Sequence, residues 1–303
     1  MAIIGYGIAI AVSGASSFSS ASLHLGVVNI GLIVGLSLIN YALRSARWSV
    51  YLKRLGHPLP TATNTLCYLS GFAFTLTPGK AGEAGRAIHL KKYGVRVNAT
   101  LGSVFFERLM DLIAIIGIGT VAMMQLPGLR WIVFCASGLA LIAFGALYFM
   151  TRTEPLTPDS KTVWWRRLVF RVSEIVQLIY PLLNTETLFW SFVLGLFAWG
   201  CEAFGLYWLC LHLGLQINPL TACGIYAASL LAGALSFLPG GLGTTEATMS
   251  GMLIALAGAS PSVAITATTI CRVLTLWLAI GIGIVCNIYL ETSLAPKPHT
   301  LGP

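Results

Sequence analysis

Long apolar runs alternate with short polar stretches, most of them basic, along the whole chain. Residues 26–43, 99–124, 131–150, 187–211 and 263–289 are near-continuous apolar stretches of roughly membrane-crossing length. A helix rises about 1.5 Å per residue, so about 20 apolar residues cross a hydrocarbon core of about 30 Å. Residues 3–12 form a shorter apolar run ahead of a serine-rich stretch at 13–22. It is expected to be retained as a first membrane helix, the alternative being a leader cleaved near Ala15 or Ala21. Two further apolar stretches, 61–77 and 220–257, are interrupted by Pro78-Gly79 and Pro239-Gly240-Gly241. The runs lack the period-two alternation of a membrane barrel, so helices are predicted.

The polar stretches orient these elements. Segments 44–54, 80–96 and 151–171 hold 14 of the 18 Lys and Arg residues. Basic loops stay in the cytoplasm. Two of these loops flank residues 61–77, so that segment is predicted to enter and leave on one side as a re-entrant hairpin. The uncharged loop at 214–219 falls outside, and 220–257 dips back from there. Both termini are predicted cytoplasmic.

The two breaks share a pattern. Pro78-Gly79-Lys80-Ala81-Gly82 and Pro239-Gly240-Gly241-Leu242-Gly243 both read P-G-x-x-G, 161 residues apart. An acid follows each (Glu83 and Glu246), then an arginine within the next span (Arg108 and Arg272). This predicts an all-α integral membrane protein of about six full spans plus two Pro/Gly-broken re-entrant helical hairpins, arranged as inverted-topology repeats. The first repeat covers 26–124 and the second 187–290. A connecting span and a basic amphipathic segment at 125–186 lie between them, all within one transmembrane domain, 1–303. The competing reading makes the breaks plain loops between short helices.

Composition agrees on the solvent. Hydrophobic residues are 56% of the 303 and charged residues 9%. A soluble chain of this length carries about a quarter of its residues charged, so a soluble enzyme, a disordered chain and a nucleic-acid module are excluded despite the net charge of +8. The seven cysteines are scattered without C-x-x-C spacing and read as buried apolar residues. No nucleotide, metal or nucleophile motif is present, and no cofactor is expected.

The few charges at membrane depth are the candidate site. Glu107, Arg108 and Asp111 lie inside 99–124, Glu202 inside 187–211, and Arg272 inside 263–289. Glu107 and Asp111 share a helix face, and Arg108 can pair with Asp111. Such charges are costly unless paired or hydrated and so face an interior. They read as a polar cavity in which Arg108 and Arg272 grip an anion, since guanidinium matches phosphate oxygens. Alternatively they pin the hairpins as ion pairs, Arg108 with Glu83 and Arg272 with Glu246. Lys80 and Arg86 flank Glu83, where Gly79, Gly82 and Gly85 would let a head group approach closely. Arg44 and Arg47, beside Trp48 and Tyr51, read as a snorkelling interfacial anchor, and otherwise as a docking patch for anionic head groups. Trp164-Trp165-Arg166-Arg167 reads as an interfacial amphipathic segment. His57 and His89 read as ordinary polar loop residues.

N-Y-A-L-R-S-A-R-W at 40–48, L-T-P-G-K-A-G-E-A-G-R at 76–86, F-E-R-L-M-D-L at 106–112, F-L-P-G-G-L-G-T-T-E at 237–246 and Arg272 together resemble the lysylphosphatidylglycerol synthase transmembrane family. This is the flippase-like membrane module of the bacterial multiple peptide resistance factor, also found alone. The resemblance runs from about residue 26 to 290. It implies handling of a lipid with a large polar head at the bacterial inner membrane, with Glu83, Arg86, Glu107, Arg108, Glu246 and Arg272 lining the central site. No aminoacyl-transferase domain accompanies it here, so synthesis of the lysyl lipid is not expected. The expected activity is therefore transport, not catalysis. The lipid would be an anionic phospholipid, a glycolipid or a polyprenyl-phosphate-linked lipid, and the expected protein partner a second copy or a lipid-biosynthesis enzyme. The rival readings are a non-transporting partner of a lipid-modifying or glycosyltransferase pathway, and a membrane enzyme acting on head groups through Glu83, Asp111 or Glu246.

Overall fold

A computed structural model describes residues 15–122, 130–152, 170 and 173–294. The first apolar run and the Trp164–Arg167 segment lie outside the described residues, as does the side chain of Lys80. The described chain is helical, with no strand among the described residues.

Helix α1 spans Ala15–Arg54 and bends at Gly26, whose φ is +69°. A helix, a break and a second helix follow: α2 (Thr61–Ser70), 3-10 turns at Gly71–Phe74 and Pro78–Gly85, then α3 (Arg86–Lys92). The returning limb, expected as a basic loop, is thus wound into 3-10 and α-helix. Its Arg86, His89 and Leu90 are buried because they face the bundle. Helices α4 (Val97–Ala122), α5 (Arg130–Arg152) and α6 (Thr185–His212) come next. Asn184 caps α6, accepting from the backbone N–H of Thr187 at 2.9 Å. The second broken element is α7 (Pro219–Leu235), a turn at Pro239–Gly241 and α8 (Thr244–Ala257). Helix α9 (Pro261–Arg272) continues through a π-turn at Val273–Trp277 into α10 (Leu278–Leu294). Pro219 and Pro261 start their helices, where a missing N–H costs nothing.

Four described helices are long and apolar enough to cross a membrane: Leu25–Arg54, Arg130–Met150, Thr185–His212 and Pro261–Thr292. These match four of the six expected spans, and the other two stand apart for separate reasons. Residues 3–12 are not described, and α4, at 26 residues, carries Glu107, Arg108 and Asp111 in its middle.

Packing crosses between the halves. The first broken element packs on α10, and the second packs on α4. Gly283 makes the first contact possible, because a Cβ there would overlap the backbone N of Ala73. The two Pro-Gly turns also meet, Gly240 lying against Leu76. The second turn needs glycine for another reason: Gly240, Gly241 and Gly243 have φ of +62°, +67° and +86°. Phe237, just before it, holds φ +54° without that freedom. Apolar side chains form two principal clusters. One surrounds Trp48, Tyr68, Phe72 and Phe106, and the other surrounds Leu206, Ile225, Leu231 and Met249.

Candidate functional site

The first Pro-Gly turn, the start of α3 and the midsection of α4 bring five of the expected site residues, Glu83, Arg86, Glu107, Arg108 and Asp111, into one buried network. Arg108 Nη2 lies 3.0 Å from Glu107, 3.1 Å from Asp111 and 3.5 Å from Glu83. Arg86 donates to Glu83 at 2.9 Å and to Glu107 at 3.3 Å. Its guanidinium lies 4.5 Å from both the Trp48 and the Tyr68 ring centroids. Tyr68 donates its hydroxyl to Glu107 at 2.5 Å.

Arg86 was expected to capture a head group at an open tip. It is instead fully buried between two rings and two acids. Gly82 and Gly85 do not leave space for a ligand either. A Cβ on Gly82 would lie 2.6 Å from Thr77, and one on Gly71 would lie 2.9 Å from Arg86 Nε. They let the element close on itself.

Arg44 and Arg47 also belong to this network, which corrects their reading as an interfacial anchor. Arg47 donates to Asp111 at 2.5 Å and lies 3.7 Å from Glu107. Arg44 lies 3.5 Å from Glu107 and 3.6 Å from Asp111, stacked between Phe72 and Trp199. A signal for this existed. Ser37, Asn40, Arg44 and Arg47 are spaced three, four and three residues apart and are all buried, a polar stripe on one face of an apolar helix. His89 is likewise buried rather than in a loop, its Nε2 2.8 Å from Asn287 Oδ1. Asn287 Nδ2 donates to the Ser70 carbonyl at 2.6 Å, which ties α10 to the first broken element.

The second half builds a simpler site. Arg272 Nε donates to Glu246 Oε1 at 2.6 Å, and Arg272 Nη2 to the Gly240 carbonyl at 2.9 Å. Glu246 Oε2 accepts from the Gly243 N–H at 2.6 Å, at the positive end of α8. The pairings Arg108–Glu83 and Arg272–Glu246, set against anion contacts as alternatives, therefore both exist. Glu202 accepts the hydroxyl of Tyr226.

Two cavities adjoin these charges. A small one, about 40 Å³, is lined by Tyr41, Arg44, Glu83, Glu202, Tyr226 and Arg272, among others. A larger one, about 380 Å³, is mostly apolar, with walls from α4, α5 and α7 and with Arg108, Asp111 and Arg272 among its lining. Trp199, Leu230 and Arg272 line both. The Arg108 side chain is 20% exposed, and its Nε has no hydrogen-bond acceptor among the described residues. A larger open depression, about 650 Å³, is lined by Arg96, Glu174 and Gln177 and lacks the buried charges. Among the described residues no group of three His, Cys, Asp or Glu side chains is placed to hold a metal ion.

Apolar helices of membrane length, packed around a buried ionic core, define a polytopic helical membrane protein. More particularly, the chain belongs to the family described as the lysylphosphatidylglycerol synthase TM region, whose pattern matches residues 2–283. Similar proteins include two UPF0104 membrane proteins of Methanothermobacter thermautotrophicus. Both are 24% identical, one over 85% of this chain and 81% of its own length, the other over 88% and 86%. A UPF0104 membrane protein of Pyrococcus horikoshii is 29% identical over 33% of this chain and 28% of its own.

Proposed function

We propose that the protein moves a lipid with an anionic head group across the membrane and is not itself a synthase. The observation that carries this reading is the 380 Å³ cavity, whose apolar walls end on Arg108, Asp111 and Arg272. A head-group phosphate suits the two guanidinium groups, which form short bidentate bonds to phosphate oxygens. The apolar wall suits the chain that follows. Arg108 has a donor to spare for such a guest. Glu246 holds Arg272 and the Gly243 N–H together, a pair of donors that would equally serve a phosphate. A lipid phosphate would take over Arg272 as Glu246 gives it up.

The exchange of packing between halves, and the meeting of the two Pro-Gly turns, support inverted repeats with both breaks re-entrant. Irregular backbone at membrane depth is tolerated where protein or a cavity covers it. Basic loops then face the cytoplasm, as do both termini.

Reconstitution into vesicles with a fluorescent anionic phospholipid tests the reading, with a membrane-impermeant quencher reporting leaflet exchange. Wild-type protein speeds exchange, and Arg108→Ala and Arg272→Ala each slow it by roughly tenfold, a loss of about 1.4 kcal/mol of phosphate binding. Equal rates for all three proteins overturn it.

A further inference from the structure

We propose that the head group of the transported lipid is a polyol, read by Arg44 through the hydroxyl on the second carbon beyond the phosphate ester oxygen. The proposal rests on the transport reading and names its substrate class. Arg44 is almost wholly buried, yet neither its Nε nor its Nη2 has a hydrogen-bond acceptor among the described residues. Glu107 and Asp111 stand off at 3.5 and 3.6 Å, and the guanidinium is stacked between Phe72 and Trp199. A buried donor left unmet is costly. Arg44 is thus set to receive an oxygen that the folded chain does not supply.

The small cavity selects the group that carries this oxygen. Arg44 lines it together with Tyr41, Glu83, Glu202, Tyr226 and Arg272. At about 40 Å³ it takes one group of about a water's size, since a water occupies about 30 Å³. Its wall holds two guanidinium and two carboxylate side chains, and that mixture decides among the groups common on lipid heads. An ammonium only donates, so it leaves Arg44 unmet and is repelled by both arginines. A second phosphate only accepts, exceeds the space and is repelled by both carboxylates. A hydroxyl accepts from a guanidinium and donates to a carboxylate, so it suits both signs.

The small cavity also has the right place. It shares Trp199, Leu230 and Arg272 with the large one, so a phosphate on Arg108 and Arg272 has its head group beside it. The π-turn at Val273–Trp277 helps to build its wall, where Thr275 accepts the Tyr41 hydroxyl on its carbonyl at 2.5 Å. Glycerol, and a sugar joined through its anomeric carbon, both carry a hydroxyl on the second carbon beyond the ester oxygen. Ethanolamine carries an ammonium at that position, and ethanol carries only hydrogen. These four heads therefore differ at the one position that Arg44 would read.

The test measures leaflet exchange by the full chain in phosphatidylcholine vesicles, with one acyl-labelled probe at a time. The probes are phosphatidylglycerol, phosphatidylglucose, phosphatidylethanol and phosphatidylethanolamine. Wild-type protein moves at least one polyol lipid about tenfold faster than phosphatidylethanol, which has the same net charge without the hydroxyl. The faster polyol names the source, glycerol or sugar, and phosphatidylethanolamine is slower than either. Arg44→Met removes the reading group, and Ala279→Val fills the small cavity from its apolar side. Each erases the preference for a polyol. Phosphatidylethanol moving as fast as both polyols, or phosphatidylethanolamine moving faster than both, overturns the proposal and leaves transport standing. A preference that survives in either folded variant overturns the role of Arg44 and its cavity. No wild-type exchange of any probe overturns the transport reading and this inference with it. If Arg44→Met does not fold, Ala279→Val, which touches no charge, decides the site.

Discussion

The two Pro-Gly turns carry one sequence pattern and build two different sites. In the first half, Glu83 joins six other charged side chains, and apart from Arg108 these are almost wholly buried. Its turn closes on itself, and neither Gly82 nor Gly85 holds a positive φ. In the second half the pair Arg272–Glu246 joins a turn with three left-handed glycines and a left-handed Phe237. The first reads as a fixed post and the second as the part that yields. The lesson is that a repeated motif specifies where a charge sits in the chain. What that charge does depends on which other helices bring partners to it.

The largest effect should come from breaking the post. Asp111→Ala leaves Arg44, Arg47 and Arg108 short of a buried counter-charge, and removing one member of such a set costs about 3–5 kcal/mol. The expected outcome is a large fall in folded yield and melting temperature in detergent. Arg272→Ala should lower the melting temperature far less while slowing exchange roughly tenfold, and a melting loss equal to that of Asp111→Ala would break the comparison. Gly283→Leu forces α10 away from Ala73, and overpacking of this kind costs about 1–3 kcal/mol by thermal melting. Smallest of all, Phe237→Gly relieves a left-handed backbone worth about 1–2 kcal/mol, offset by lost apolar contact at the cavity wall. Its melting temperature should hold or rise slightly.

The sequence reading succeeded where a local rule applies. Long apolar runs marked α1, α5, α6 and the last span. Proline and glycine marked both breaks, and i,i+3 spacing anticipated the Arg108–Asp111 contact. It failed where partners come from far along the chain. Arg44 and Arg47 sit near the end of an apolar run, where snorkelling is the ordinary outcome. Only Glu107 and Asp111, more than 60 residues later, turn them inward. His89 follows the same logic, since its partner Asn287 is 198 residues away. Tyr226 beside Glu202 has no signal in the sequence, because a tyrosine in an apolar helix packs equally well without a polar partner.

The central claim is a route for the head group through the cavity between α4, α5 and α7. Leaflet exchange of labelled phosphatidylglycerol in two tryptophan variants of α5 tests it most directly. Ala143 lines the cavity, while Leu141, two residues away, is 73% exposed on the outer face. The account predicts that Ala143→Trp blocks exchange and that Leu141→Trp leaves it at the wild-type rate. Equal exchange by both variants would contradict it.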